Sequence, residues 1–491
     1  MKKRIIPILI LAIVALYLGA TGVSGVMIDR EIREFSETLA QYDETVQVNR
    51  LDYERGFWGG KLHYDMEYRI GAGSEAEEII AGFTGSTPES TAAIPVQGTA
   101  DVRHGPWVGG GEGFALAKTQ SVWHLPEATR SWLPDYPEDT PLFREVTTMG
   151  FNGQIRSKIT GTDYDGRVAG EAIPGGVEIA LVLEDWGGVL TTNDRLDRLD
   201  MDISVGTLAM TGSEAGGPSG EIRLDDLACT MDTEKQTDLL WTGDWLFSLG
   251  MLSVREDDSR VTMEKIVSAF ESVRNGDTFD NTLRMTAGEI DVDDIALGGA
   301  RLDISLENVD ILAYEAFVRH LERDAAGLIE YSKEQQQKEE EIWQRFLAAG
   351  PVFRVNSASL HVVSPDDITG HLKLSYPPSA PFDPDMPDVM LRHINLEMGV
   401  DASTDSLERL TRIYAEIESR QHEKLFGQPM SAEMIDETAR RSYQEMMLVF
   451  HFMPFFQVSA DGVSSHLEIK DGMIVANGQQ VMDVKSFLDS L

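Results

Sequence analysis

The sequence predicts an α+β protein that is mainly β. It opens with an N-terminal transmembrane helix, continues as an extended, curved antiparallel sheet, and concentrates its helices in the C-terminal third. Three observations carry this prediction: an uncharged apolar run near the N-terminus, repeated two-residue alternation from about residue 46 onward, and helical spacing of apolar residues only late in the chain. The expected division is residues 1–28 as membrane anchor, 29–45 as a juxtamembrane helix and 46–312 as an antiparallel β body. Residues 313–491 continue that body with helical insertions and a closing hairpin.

The basic cluster Met1-Lys2-Lys3-Arg4 precedes Ile5–Ile28, which is 24 residues without a charge. At ~1.5 Å per residue such a helix spans about 36 Å, enough for a hydrocarbon core of about 30 Å. Positive residues ahead of the span keep the N-terminus cytoplasmic and send the remainder out. A cleaved signal peptide starts the same way, but no clean Ala-x-Ala precedes Asp29 and the apolar run is long for one. No later stretch is as apolar, so the expected topology is single-pass. Asp29–Thr45 then carries Ile32, Phe35 and Leu39 at helical spacing.

From there the period changes to two. Leu62, Tyr64, Met66 and Tyr68 alternate with His63, Asp65, Glu67 and Arg69. The same pattern returns around 155–159, 177–183, 199–205, 302–306, 372–376 and 394–400. Runs of this kind, bounded by Gly, Asp and Asn, are half-buried antiparallel strands with one apolar and one wet face. Loops are expected at Gly71–Pro95, Thr211–Gly220 and the proline-rich Tyr376–Pro387.

Helical spacing appears in Tyr314–Ala349 around a polar middle, Ser332–Glu341, which reads as a solvated face or a break between two helices. Asp405–Gln421 carries Leu407, Leu410, Tyr414 and Ile417, with Asp405 and Glu408 placed like a capping box. Ser431–Met453 is a third helix, stopped at Pro454. The chain closes on a hairpin, Ser465–Lys470 against Met473–Ala476, turning at Asp471-Gly472, with Asn477-Gly478 after it.

Composition excludes several classes. Lys and Arg total 42 against 82 Asp and Glu, a formal charge of −40. Such a surface repels phosphate, and no basic patch exists beyond the extreme N-terminus, so nucleic acid is not an expected partner. The acid is spread along the chain and lysine is scarce, a pattern expected of a halophilic or salt-tolerant bacterium, where screening removes self-repulsion. One cysteine, Cys229, excludes an internal disulfide and any cysteine-based metal cluster; a buried structural thiol is the expected reading. No GxSxG elbow, HExxH, Walker loop or dinucleotide fingerprint is present. Asp291-Val-Asp-Asp294 lacks the pattern of a calcium loop and reads as a solvated face. No catalytic residues, no metal site and no cofactor are expected.

Two short motifs remain. Arg55-Gly56-Phe57-Trp58 leads into the first strand, and His104-Gly105-Pro106-Trp107 stands before the glycine-rich 109–113. Read structurally, Arg55 pairs with an acid at a strand entry, His104 hydrogen-bonds a nearby carbonyl, Gly105-Pro106 shapes a turn and Trp107 packs on the sheet. Read chemically, His104 is a base or ligand and Arg55 binds a carboxylate or phosphate. Together with the N-terminal span and the closing Asn-Gly hairpin, the motifs resemble the YdgA-like family of bacterial proteins, a domain of unknown function. The resemblance implies a mainly β protein anchored in the inner membrane with its body in the periplasm. It implies no reaction and assigns no role to Arg55, Gly56, His104, Gly105, Pro106 or Trp107.

The functional expectation is therefore non-enzymatic. A curved sheet with one apolar face suits a cell-envelope protein that binds or handles lipid or another hydrophobic ligand. The alternative is an envelope scaffold or interaction module that self-associates or binds an envelope protein. A continuous apolar groove favours the first, and a filled core under the C-terminal helices favours the second.

Overall fold

Alternating apolar and polar residues lay this chain into strands that pair mostly with their sequence neighbours. The computed structural model describes residues 46–70, 92–125, 133–168, 178–213, 219–256, 259–325, 333–362, 368–380 and 390–486, apart from positions 57, 107, 109–113, 379, 391, 454, 471 and 485. The expected anchor (1–28) and juxtamembrane helix (29–45) lie outside the described residues. Among those residues no helix is long and apolar enough to cross a membrane. The chain packs as two compact units divided at Asp232/Thr233. The first helix among the described residues begins at Ile311.

Unit 1 is built from β1 (Val46–Arg55), β2 (Gly59–Ile70), β3 (Ala92–His104), β4 (Ala117–Trp123), β5 (Phe143–Met149), β6 (Gln154–Gly161), β7 (Tyr164–Val168), β8 (Glu178–Asn193), β9 (Arg198–Ser213) and most of β10 (Ser219–Lys235). Pairing is antiparallel from β1 through β6 in order. The long β8 then takes both β6 and β7 on one edge, β9 pairs on its other edge, and β10 pairs with β9.

Unit 2 holds β11 (Trp241–Glu256), β12 (Ser259–Asn275), β13 (Thr278–Val292), β14 (Ile295–Asp310), β15 (Val352–His361), β16 (Ile368–Ser375), β17 (Asn395–Ser403), β18 (Gln457–Val458), β19 (Gly462–Lys470), β20 (Met473–Ala476) and β21 (Gln479–Asp483). Its strands pair antiparallel, β11 through β17 in order, then β17 with β19, β19 with β18 and β20, and β20 with β21. Strands of 15–17 residues such as β12 and β13 are about 50 Å long at ~3.3 Å per residue. Asp293 and Asp294, both at left-handed φ (51° and 64°), turn β13 into β14. The Asp293 carboxylate accepts the Arg260 backbone N–H at 2.7 Å, so this acidic stretch serves as a hairpin turn.

Among the described residues four helices interrupt unit 2: α1 (Ile311–Ala325), α2 (Lys333–Ala348), α3 (Thr404–Phe426) and α4 (Ala432–Phe452). The polar stretch expected in 332–341 falls in the first half of α2, with helix on both sides of the undescribed 326–332. The Asp310 carboxylate accepts the Ala313 N–H at 2.8 Å, capping α1, and receives Arg345 from α2. The capping box expected at Asp405 and Glu408 is not the one used. Ser403, the last residue of β17, is the N-cap of α3 and accepts the Ser406 N–H at 3.2 Å. Ser431 caps α4 in the same way. The buried cluster Leu240, Phe279, Val309 and Ile311, with Leu306, Tyr314 and Phe346 against it, ties α1 and α2 to one end of the sheet. Cys229 in β10 is half-buried, not sealed in a core.

Candidate functional site

In a strand, side chains alternate between faces, so register decides which residues meet across a sheet. In unit 2 the registers align Trp245, Phe270, Leu283, Ile304, Val355, Leu372, Met398, Leu467 and Ala476, one from each of nine successive strands. This row is apolar from end to end, about 38 Å at ~4.8 Å per strand. A second row on the same face is apolar over Leu306, Phe353, Leu374, Leu396, Ile469, Ile474 and Met482, and continues on its other side into the polar Asn281 and Ser272. On the opposite side the intervening row is polar over Asp244, Glu271, Thr282, Ser305, Arg354, Lys373, Glu397 and Glu468, and ends on Val475. Charges on this side are partly paired, as in Arg354 of this row with Glu307 at 2.8 Å and Arg284 with Asp303 of a neighbouring row at 3.7 Å.

The apolar face is closed at the Phe279 end, where that side chain is 1% exposed beneath α1. Away from that end Trp245, Phe247, Met285, Phe353 and Leu374 are each 36–48% exposed. Apolar surface of this extent left half in water is the physical signature of a binding surface. The sequence patterns did not reveal β11–β13, because Trp245-Leu246-Phe247 puts large apolar groups on both faces and masks the alternation.

Unit 1 has a different face. Tyr64 lies over Gly98, and Trp186 lies over Gly161, where any Cβ would collide with the ring. Between them an aromatic row runs Tyr64, Trp123, Phe143, Trp186, with centroids 4.5, 5.1 and 6.0 Å apart. Beside the row stands Glu145. Its Oε1 accepts Thr147 Oγ1 at 2.9 Å and Ser157 Oγ at 2.7 Å, and its Oε2 accepts Trp123 Nε1 at 3.1 Å. Among the described residues no cation pairs with it. Tyr64 is 6% exposed and its buried hydroxyl has no hydrogen-bond partner among the described residues. Burial first, and the Glu145 charge second, push the Tyr64 phenol well above its ordinary value.

The two sequence motifs meet in unit 1. His104, at the end of β3, is 4% exposed, and its Nε2–H donates to the Gly56 carbonyl at 3.2 Å. The His104 N–H donates to Trp58 O, and Gly105 N–H to Leu116 O. Pro106 is half-buried beside this joint, while Trp107 lies outside the described residues. Among the described residues no nucleophile or acid is hydrogen-bonded to His104, and what they show is a backbone joint between the β1–β2 turn and the end of β3. Arg55 is exposed and, among the described residues, lacks the acidic partner expected for it. Its strand entry is held instead by the Gly56 N–H on Gly59 O. No group of three or more His, Cys, Asp or Glu among the described residues is placed to hold a metal ion.

A family model described as a bacterial protein of unknown function (DUF945) matches residues 1–482. No curated protein and no solved structure matches significantly.

Proposed function

We propose, for a chain that belongs to this family of bacterial proteins of unknown function, that unit 2 holds the acyl chains of a lipid, or another hydrophobic ligand, along its apolar face. The reading places the protein in the bacterial envelope, tethered to the inner membrane by Ile5–Ile28 with its body in the periplasm. The observation that carries it is the nine-residue apolar row from Trp245 to Ala476, in which Trp245 is 48% exposed and Ala476 alone is buried, with Phe247, Met285, Phe353 and Leu374 exposed in the rows beside it. Such a row offers an alkyl chain contact over several strands while the charged opposite face stays in water.

Native mass spectrometry of the full chain after gentle extraction tests this. Retained phospholipid is expected, and Leu283→Lys, in the middle of the row, should abolish retention. Lipid-free recovery of the folded wild-type chain would overturn the reading.

A second reading, an interaction module that self-associates or binds an envelope protein, is favoured by one observation. Leu448, Val449, Phe452 and Met453 at the end of α4 are 44–77% exposed. Crosslinking in intact cells should then recover a defined partner through α4.

A further inference from the structure

The polar cluster of unit 1 is an unusual thing to find on an otherwise apolar and aromatic face. A carboxylate has about four acceptor positions. Two on Glu145 Oε1 are filled by Thr147 and Ser157, and one on Oε2 by Trp123, so Oε2 retains one. Tyr64 presents the complementary need, a buried O–H donor with nothing to receive it. No hydrogen bond joins the two; Trp123 neighbours both, its ring tilted 35° with its centroid 4.5 Å from that of Tyr64, and its indole N–H donating to Glu145. A buried unpaired donor costs free energy, and a ligand is one way that cost is removed.

The chemistry of that ligand follows from the pair. It must donate to Glu145 and accept from Tyr64. A fatty-acid carboxylate cannot donate and meets the Glu145 charge. An alkylammonium donates but leaves the Tyr64 hydroxyl unpaired. A hydroxyl does both. The flanking Trp123, Phe143 and Trp186 supply an apolar track for a chain attached to it.

We propose that unit 1 binds a neutral, hydroxyl-bearing amphiphile of the monoacylglycerol class, its glycerol hydroxyls between Glu145 and Tyr64 and its acyl chain on the aromatic row. This site is built from unit 1 residues alone and does not rest on the apolar face of unit 2.

The test uses the full chain held in amphipol, with tryptophan fluorescence reporting titrations of monooctanoylglycerol, octylammonium and octanoate. Monooctanoylglycerol should bind at least about tenfold more tightly than either ionic probe, as expected for a site that matches both hydrogen-bonding partners. Glu145→Gln and Tyr64→Phe should each weaken it by about three- to tenfold, the worth of one hydrogen bond. Because the Tyr64 hydroxyl has no partner among the described residues, Tyr64→Phe should not lower the melting temperature of the unliganded chain. Leu283→Lys in unit 2 should leave this binding unchanged, which separates failure here from failure of the unit 2 reading. Equal or tighter binding of octylammonium, wild-type affinity in folded Glu145→Gln or Tyr64→Phe, or destabilisation of the unliganded chain by Tyr64→Phe would each overturn the proposal.

Discussion

The two units are built by the same antiparallel pairing, yet their inner faces differ in kind. In unit 2 the row from Trp245 to Ala476 is apolar without a break, and the only polar groups beside it on β12 and β13 near Phe270 and Leu283 are the small Ser268, Ser272 and Asn281. In unit 1 the equivalent surface carries Ser121, Thr147, Ser157 and Glu145 between an aromatic row and the buried cluster of Val102, Leu116 and Ala117. An unbroken apolar row discriminates poorly, because alkyl chains of many ligands fill it equally well. A carboxylate with one open position beside an unpaired phenol discriminates sharply, since a wrong head group leaves polar atoms buried without partners. The difference teaches that one folding pattern yields either a permissive or a selective surface, depending on a few side chains in mid-sheet.

The most forceful way to break this comparison is to damage the closed end of unit 2. Phe279 is its most completely buried large side chain, packed on Leu240, Val309 and Ile311 with the Tyr314 ring at 5.1 Å. Phe279→Ala removes that contact area and leaves a cavity, so unit 2 should lose about 3–5 kcal/mol. Hydrogen exchange read on peptides from β13 and α1 measures it. If peptides of unit 1 lost protection equally, the division at Asp232 would not be a division of stability.

A smaller effect separates strand from helix within unit 2. Ser403 ends β17 and caps α3, while the Ser406 it serves is fully buried. Ser403→Ala should cost about 1 kcal/mol, read as a shift in denaturant midpoint. Wild-type stability in this variant would mean that packing of Leu407, Ile413 and Ala415, not the cap, sets where the helix begins.

These residues also show what the sequence makes legible. Strict alternation marks β2, β6, β8, β9, β14, β16 and β17, because each has one wet and one dry face. It does not mark β11, where Leu246 is 44% exposed between Trp245 and Phe247. Ser403 is hidden as a cap because it belongs to the strand before it, so the acidic residues just inside the helix look like the start. The motifs of Arg55 and His104 are visible as short patterns, but their meeting depends on the β2–β3 register, which brings Gly59 opposite Arg103. Glu145 is invisible for the same reason. Thr147 is two residues away, but Ser157 reaches it only because β5 and β6 pair Thr147 with Ser157.

The finest test addresses what holds unit 1 near its surface. Asp135 accepts the Arg167 side chain in a bidentate pair at 2.9 and 3.0 Å and the Arg167 backbone N–H at 2.9 Å. The side-chain bond first, and the backbone bond next, hold its carboxyl down to about 2. Arg223 holds Asp225 below its ordinary value in a similar way. A carboxyl whose folded value is depressed stabilises the fold above its unfolded value, near 4, and that contribution is lost as pH falls towards 2. Wild-type unit 1 should therefore weaken across that window, and Asp135→Asn should flatten part of the loss while starting from slightly lower stability at neutral pH. The pair is exposed, so the effect is the smallest of the three and should shrink further in high salt. Denaturant midpoints at pH 5, 4, 3 and 2, with and without salt, measure it. An Asp135→Asn variant that tracked wild type at every pH would show that Arg167 orders this loop without contributing to its acid response.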